Sequence, residues 1–343
     1  MLQLLHLPAS ALAQAARDAS SPLLGAACFG AGAGPIPHPL FPLASVQVEP
    51  LASEPALCEA WSTQGPLQPG KTGCVHWCSN GDVLFAVLQV AEAVTANAAG
   101  VPPLQAASRA AYADLFTALD ALGYPHLLRV WNHVPDINGE SAGVERYRLF
   151  NIGRQDAFLA HGRTVSGANV PAASALGAAA NAPLLVYCIA ARQPAVAIEN
   201  PRQLSAYHYP QDYGPRSPTF SRASLATFGP QHLLFISGTA SIVGHRTLHA
   251  EDVAEQTRET LRNVEAVLQQ AHAKGVAGIG LANLYYKVYV RHPADWPVIR
   301  AELQRAAGAA VHAIALQADV CRSDLLVEIE ATGLQTTNQD LRA

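Results

Sequence analysis

A chain of 343 residues exceeds a typical single domain, so two units are expected. Half of its residues are hydrophobic, 14% are charged and mean hydropathy is +0.13, which excludes a disordered chain and describes a large core. A net charge of -4 and a pI near 6.3 exclude an extended basic footprint for nucleic acid, so an anionic ligand must meet a local cluster drawn from only 22 Lys and Arg residues.

From the start of the chain, residues 1–20 are apolar and carry no Lys or Arg ahead of the apolar stretch. That opposes a signal peptide and suits a strand followed by a helix. No apolar run approaches the ~20 residues of a membrane span. Residues 1 to about 80, rich in Pro, Gly and Ala, read as a strand-bearing segment with long loops. Within it Gly30-Ala31-Gly32-Ala33-Gly34-Pro35 has the look of a phosphate loop, but Pro35, Pro37 and Pro39 forbid the helix such a loop must open, so a glycine turn is expected. The cysteines at 28, 58, 74, 78, 188 and 321 have no framework spacing, which suits a reducing cytoplasm. Cys74-Val75-His76-Trp77-Cys78 lacks the second ligand pair of a structural zinc site, so no metal is expected.

The middle of the chain predicts a strand over 84–90, a helix over 103–122, a strand over 126–134, helix around 153–161, and strands over 184–191 and 195–199. The same order returns later: strand 233–237, helix 251–273 with Val253, Leu261, Val264 and Leu268 on one face, strand 283–290, helix 295–306, and strands 311–320 and 325–331. This is a repeat of architecture rather than of sequence. It predicts an α+β protein of two units, 1–200 and 201–343, each a mixed sheet with helices on one face.

Three stretches carry chemistry. Glu145-Arg146-Tyr147-Arg148-Leu149-Phe150-Asn151-Ile152-Gly153-Arg154 concentrates three arginines, which suits carboxylate recognition or else a solvated helix face. The loop from Ser205 to Pro218 holds Tyr207, Tyr209, Tyr213 and Arg216 among prolines, a rigid bearer of aromatic faces or a purely structural loop. In Val327-Glu328-Ile329-Glu330-Ala331, alternation puts Glu328 and Glu330 on one strand face. Facing solvent they are ordinary; buried, Glu328 becomes a proton donor near neutrality.

The C-terminal half, with Phe235-Ile236-Ser237-Gly238-Thr239, the helix Glu251–Leu268 and Val327-Glu328-Ile329-Glu330-Ala331, resembles the reactive-intermediate deaminase (YjgF/RidA-like) family. The full pattern, with Glu145-Arg146-Tyr147-Arg148, Asn151 to Arg154, Tyr209-Pro210 and Tyr213-Gly214-Pro215-Arg216-Ser217-Pro218, resembles the chorismatases, which build that fold twice in one chain. The resemblance covers about Arg129 to Gly333. It implies a chorismate-cleaving, pyruvate-releasing enzyme without a cofactor, with Glu328 as general acid and Cys321, seven residues earlier, steering the product to 3-hydroxybenzoate with some 4-hydroxybenzoate. The arginine that holds a carboxylate in the deaminases falls near Ala313 here, so the resemblance moves that role to Arg154 or Arg216. Tyr147, Tyr207 and Tyr209 are expected to contact the ring, and Gly238 to admit close approach. A diol-forming hydrolase, an enamine or imine deaminase and a metabolite-binding protein are the competing expectations. The implied setting is cytoplasmic, as monomer or homotrimer, with no nucleic-acid or membrane partner.

Overall fold

One order of strands occurs three times along the chain, and the three sheets so formed face a common core. The computed structural model describes residues 1–18, 20–30, 40–51, 56–93, 95 and 99–337. The expected glycine turn at 31–35 lies outside the described residues.

Sheet one holds β1 (Leu2–Pro8), β2 (Leu23–Phe29), β3 (Leu43–Val46) and β5 (Leu57–Thr63), with α1 (Ala9–Ala15) after β1; the short β4 (Glu49–Pro50) pairs elsewhere. Sheet two holds β6 (Gln68–Thr72), β7 (Val75–Ser79), β8 (Val83–Val90), β9 (His126–Pro135), β12 (Ala172–Ala178) and β13 (Leu184–Ala191). Its helices are α2 (Pro103–Leu122) and α3 (Arg146–Ala160), the latter preceded by the hairpin β10 (Glu140–Ser141) and β11 (Val144–Glu145). Sheet three holds β14 (Val196–Ile198), β15 (Ala223–Phe228), β16 (Gln231–Thr239), β19 (Tyr285–Val290), β20 (His312–Gln317) and β21 (Val327–Thr336), with β4 on its edge. Its helices are α4 (Val253–His272) and α5 (Trp296–Ala307), and β17 (Ile242–Val243) and β18 (Arg246–Thr247) form a hairpin.

The orders β1-β5-β2-β3, β8-β13-β9-β12 and β16-β21-β19-β20 are the same path, each with one parallel pair at the same place: β2/β3, β9/β12 and β19/β20. Thus the α+β repeat is present, and residues 2–63 contain a third, shorter copy. Two expectations need correction. The strand closing the middle copy before β13 is β12, not 195–199; Val196–Ile198 opens sheet three by pairing with β15. The β12 sequence Ala-Ala-Ser-Ala-Leu-Gly-Ala lacks the branched and aromatic residues that mark strands. Cys28 and Cys58, opposite each other on β2 and β5, form a disulfide, so the six cysteines do not all stay apart.

Apolar residues alternate between two sides. Inward, Leu4 and Trp61 of sheet one, Phe85 and Tyr187 of sheet two, and Phe235 and Tyr289 of sheet three share one cluster. Outward, each sheet packs its own helices: α2 and α3 on sheet two, α4 and α5 on sheet three, α1 on sheet one. Cys78 faces the central core, whereas Cys74 lies on the helix side with its thiol donating to Asp114 Oδ2 at 3.1 Å. Among the described residues no group of three potential ligands gathers for a metal, and no helix is long and apolar enough to cross a membrane.

Candidate active site

Where sheets two and three meet, the edge strand β12 lies against β16, and the outer mouth of that seam is a cavity of 310 Å³. Sheet two contributes Glu145 from the end of β11 and Tyr147 and Arg148 from the first turn of α3. Sheet three contributes Gly238 at the end of β16, Glu328 at the start of β21, and the loop Cys321–Leu325 between β20 and β21. The segment from Tyr209 to Arg222 closes the side with Tyr209, Tyr213, Pro218 and Phe220.

Glu328 is 4% exposed. Burial, then the charge of Glu330, pushes its carboxyl up to about 8, against the opposing pull of Arg129 and Arg222. Gly238 is required by close approach: a Cβ there would sit 2.0 Å from Glu328 Oε1. Its N–H donates to Ser174 Oγ at 2.9 Å, which ties β16 to β12. Burial and the nearby Glu328 push the Cys321 thiol up to about 12, so it faces the cavity as a neutral thiol. Burial likewise drives the Tyr147 phenol well above its ordinary value.

Positive charge comes from three arginines. Arg222 is buried, donates from Nη2 to Tyr209 Oη (2.8 Å) and to the Leu204 carbonyl (2.8 Å), and its Nε has no acceptor among the described residues. Arg322 donates to the His245 carbonyl at 2.9 Å and lies 4.2 Å over the Tyr213 ring. Arg148 pairs with Glu145 at 3.0 Å, near the positive end of the α3 dipole. The result is a pocket with aromatic walls, three guanidinium groups and one neutral acid at its base.

Of the residues expected from sequence, Glu328, Cys321, Tyr147, Tyr209 and Gly238 come together in this cavity. Arg154, Arg216 and Tyr207 do not line it. Arg154 is buried among the Tyr112, Phe150 and Phe158 rings and donates to the Thr219 carbonyl, so it holds the Pro218–Phe220 wall from behind. Arg216 reaches Asp156 at 3.8 Å on the half-exposed surface. Tyr207 packs edge-on to the neighbouring His208 ring. The arginines that do line the cavity are Arg148, Arg222 and Arg322, and not Arg154 or Arg216, from which carboxylate binding was expected. Arg222 escaped sequence reasoning because it stands alone just before β15; its one signal is a charge at the threshold of an apolar strand. Arg322 lay inside a stretch already singled out, masked by the two carboxylates beyond it.

Comparison with known proteins points the same way. The family described as "Chorismatase FkbO/Hyg5-like, N-terminal" matches residues 59–190. A protein of Streptomyces hygroscopicus named 3-hydroxybenzoate synthase is 38% identical over 303 residues, covering 84% of this chain and 85% of that one. A protein of Streptomyces rapamycinicus named chorismatase is 41% identical over 287 residues, covering 80% of this chain and 81% of its own. A chorismatase crystal structure superposes with a TM-score of 0.87 at 32% identity, covering 97% of this chain and 98% of the other.

Proposed function

This chain belongs to the chorismatase family, and we propose that it cleaves chorismate to pyruvate and 3-hydroxybenzoate, with Glu328 as the general acid. The observation that carries this reading is a buried carboxyl, protonated at neutral pH, at the base of an arginine-lined cavity.

Chorismate is a dianion with an enol ether. A proton from Glu328 to the terminal methylene turns that group into a methyl and leaves an oxocarbenium ion. The ionised Glu328 then faces a cation and serves as the base that takes a proton back as the ring becomes aromatic. Without water, the C3–O bond breaks and the ether oxygen leaves as the keto oxygen of pyruvate, while the C4 hydroxyl gives up its proton and bridges to C3. Reopening of that epoxide at C4 with loss of the C3 proton gives the 3-isomer, and direct loss of the C4 proton gives the 4-isomer, so chorismate equals hydroxybenzoate plus pyruvate. If water captures the cation instead, a cyclohexadiene diol and pyruvate result. Arg222, with a spare Nε–H, and Arg322 and Arg148 grip the two carboxylates. Tyr147, Tyr209 and Phe220 pack on the ring. Cys321, a small neutral thiol against the cavity, fills the space in which water would stand and favours the benzoate.

Four free cysteines suit a reducing, cytoplasmic setting, with the buried Cys28–Cys58 pair sheltered from it.

The test is direct. Incubation of the purified protein with chorismate, followed by chromatography, is expected to give equimolar pyruvate and hydroxybenzoate, chiefly the 3-isomer. Cys321→Ala should move product towards the diol. Untouched chorismate would refute the reading, and diol alone from the wild type would assign the hydrolytic reaction.

A further inference from the structure

Arg291 follows β19, outside the cavity lining, and its side chain is almost wholly taken up by one loop. A guanidinium has five N–H donors, and five acceptors receive them here. Nε donates to the Leu325 carbonyl at 2.8 Å, and Nη2 to those of Val320 (3.2 Å) and Arg322 (2.9 Å). Nη1 reaches Asp319 and, at 3.1 Å, Asn138 Oδ1. Four of these acceptors belong to Asp319–Leu325, the loop that presents Cys321 and Arg322 to the cavity.

The fifth, Asn138, belongs to sheet two. Its Nδ2 donates to the Val320 carbonyl at 3.0 Å. Its neighbours Ile137 and Gly139 accept, through their carbonyls, the N–H groups of Tyr147 and Arg146 at the start of α3. One side chain thus joins both walls of the cavity, the Cys321 wall and the Tyr147 wall. Behind the loop, Arg291 and Asp319 also border an open depression of 680 Å³ between the ends of β3, β12 and β20. Asp319 at the start of the loop thus borders that open depression, while Cys321 to Leu325 of the same loop line the site.

We propose that Arg291 is a positioning residue that clasps the loop Asp319–Leu325 against the Asn138 turn, and so decides whether water reaches the cation formed in the cavity. The inference rests on the chorismate reading above and adds to it the element that sets product choice. Water excluded, the cation collapses within the substrate to benzoate and pyruvate; water admitted, one molecule is consumed and the diol appears. Lysine keeps the charge at this position, but a compact ammonium with three donors cannot serve five acceptors spread along a loop.

Arg291→Lys is compared with the wild type by product chromatography on chorismate and by amide exchange of residues 319–325 without substrate. The expected result is a diol fraction raised at least fivefold, kcat/KM lowered about tenfold, and faster exchange confined to the loop. A folded variant with faster loop exchange and an unchanged product ratio overturns the proposal. If Arg291→Lys does not fold, Asn138→Ala, which cuts only the link to sheet two, decides: a raised diol fraction supports the clasp and an unchanged one rejects it. A wild type that releases no pyruvate brings down the functional reading and this inference with it, whereas an active wild type beside unaltered variants brings down the clasp alone.

Discussion

On β21 two carboxyl groups one pleat apart carry opposite protonation. Both are pushed up by burial, but Lys287 and Arg129 lie within 2.8 Å and 2.6 Å of Glu330 and hold it down to about 2, while Glu328 has no such partner among the described residues and rises to about 8. The ionised neighbour is itself part of what keeps Glu328 neutral. Turnover that needs the acid form should therefore be level up to about pH 7 and fall as pH rises through about 8. Glu328→Gln should lose 10²–10⁴-fold in kcat with pyruvate release as the readout. Its stability should change with the opposite sense. A folded pKa above the unfolded value means the wild type is progressively destabilised from about pH 4.5 to about 8, by about 1.4 kcal/mol per pH unit at most. The glutamine variant, free of that cost, should match the wild type in urea midpoint near pH 4 and exceed it at pH 8.5; equal midpoints at both would show that Glu328 is not a neutral buried acid. Strand alternation made the shared face of these two groups legible. It left burial open, because burial is decided by β12 and β16 of a different part of the chain.

At the scale of elements, the helices and apolar strands could be read from periodicity, and α2 and β13 fall where expected. The elements that escaped are those whose composition is dictated by closeness rather than by strand preference. In β12 small residues allow β16 to approach, and a Cβ on Gly177 would lie 2.7 Å from Asp319. Gly153, in the arginine-rich motif, would place a Cβ 2.1 Å from the Gln105 carbonyl, so that motif is partly the imprint of α2 crossing α3. Ser174 shows what the seam gains. Its hydroxyl accepts from Arg129 (2.6 Å) and from the Gly238 N–H, and donates to Glu330 at 2.6 Å. Ser174→Ala leaves a buried N–H and a carboxylate oxygen without that partner, an expected cost of about 1–3 kcal/mol. Because Gly238 backs on Glu328, kcat should fall as well, while KM stays near the wild-type value. A variant that loses stability but keeps kcat would confine Ser174 to holding the sheets together.

Across the whole molecule, a single buried chain of charge links the three copies of the fold. His6 and Glu59 of sheet one are 3.7 Å apart, Lys287 of sheet three stands 3.2 Å from Glu59 and 2.8 Å from Glu330, and Arg129 of sheet two completes the line. Sheet one packs α1 on its outer face, and its inner face joins the central cluster shared with the other two sheets. Neither fact was visible in a sequence where these residues stand 43 to 324 positions apart as isolated charges. Lys287→Met should therefore act at a distance: it strips the shared cation from two buried carboxylates, at an expected cost of about 3–5 kcal/mol. Both carboxylates have lowered folded-state pKa values, so in the wild type their contribution is present above about pH 4.5 and fades as pH falls towards 2. The deficit of the variant should accordingly be largest at neutral pH and shrink in acid. Since one core serves all three sheets, the variant should still unfold in one transition, with far-UV and aromatic signals sharing a urea midpoint. Separate midpoints, with sheet one released first, would mean that the repeats are stable apart and that the central charges do not bind them into one cooperative unit.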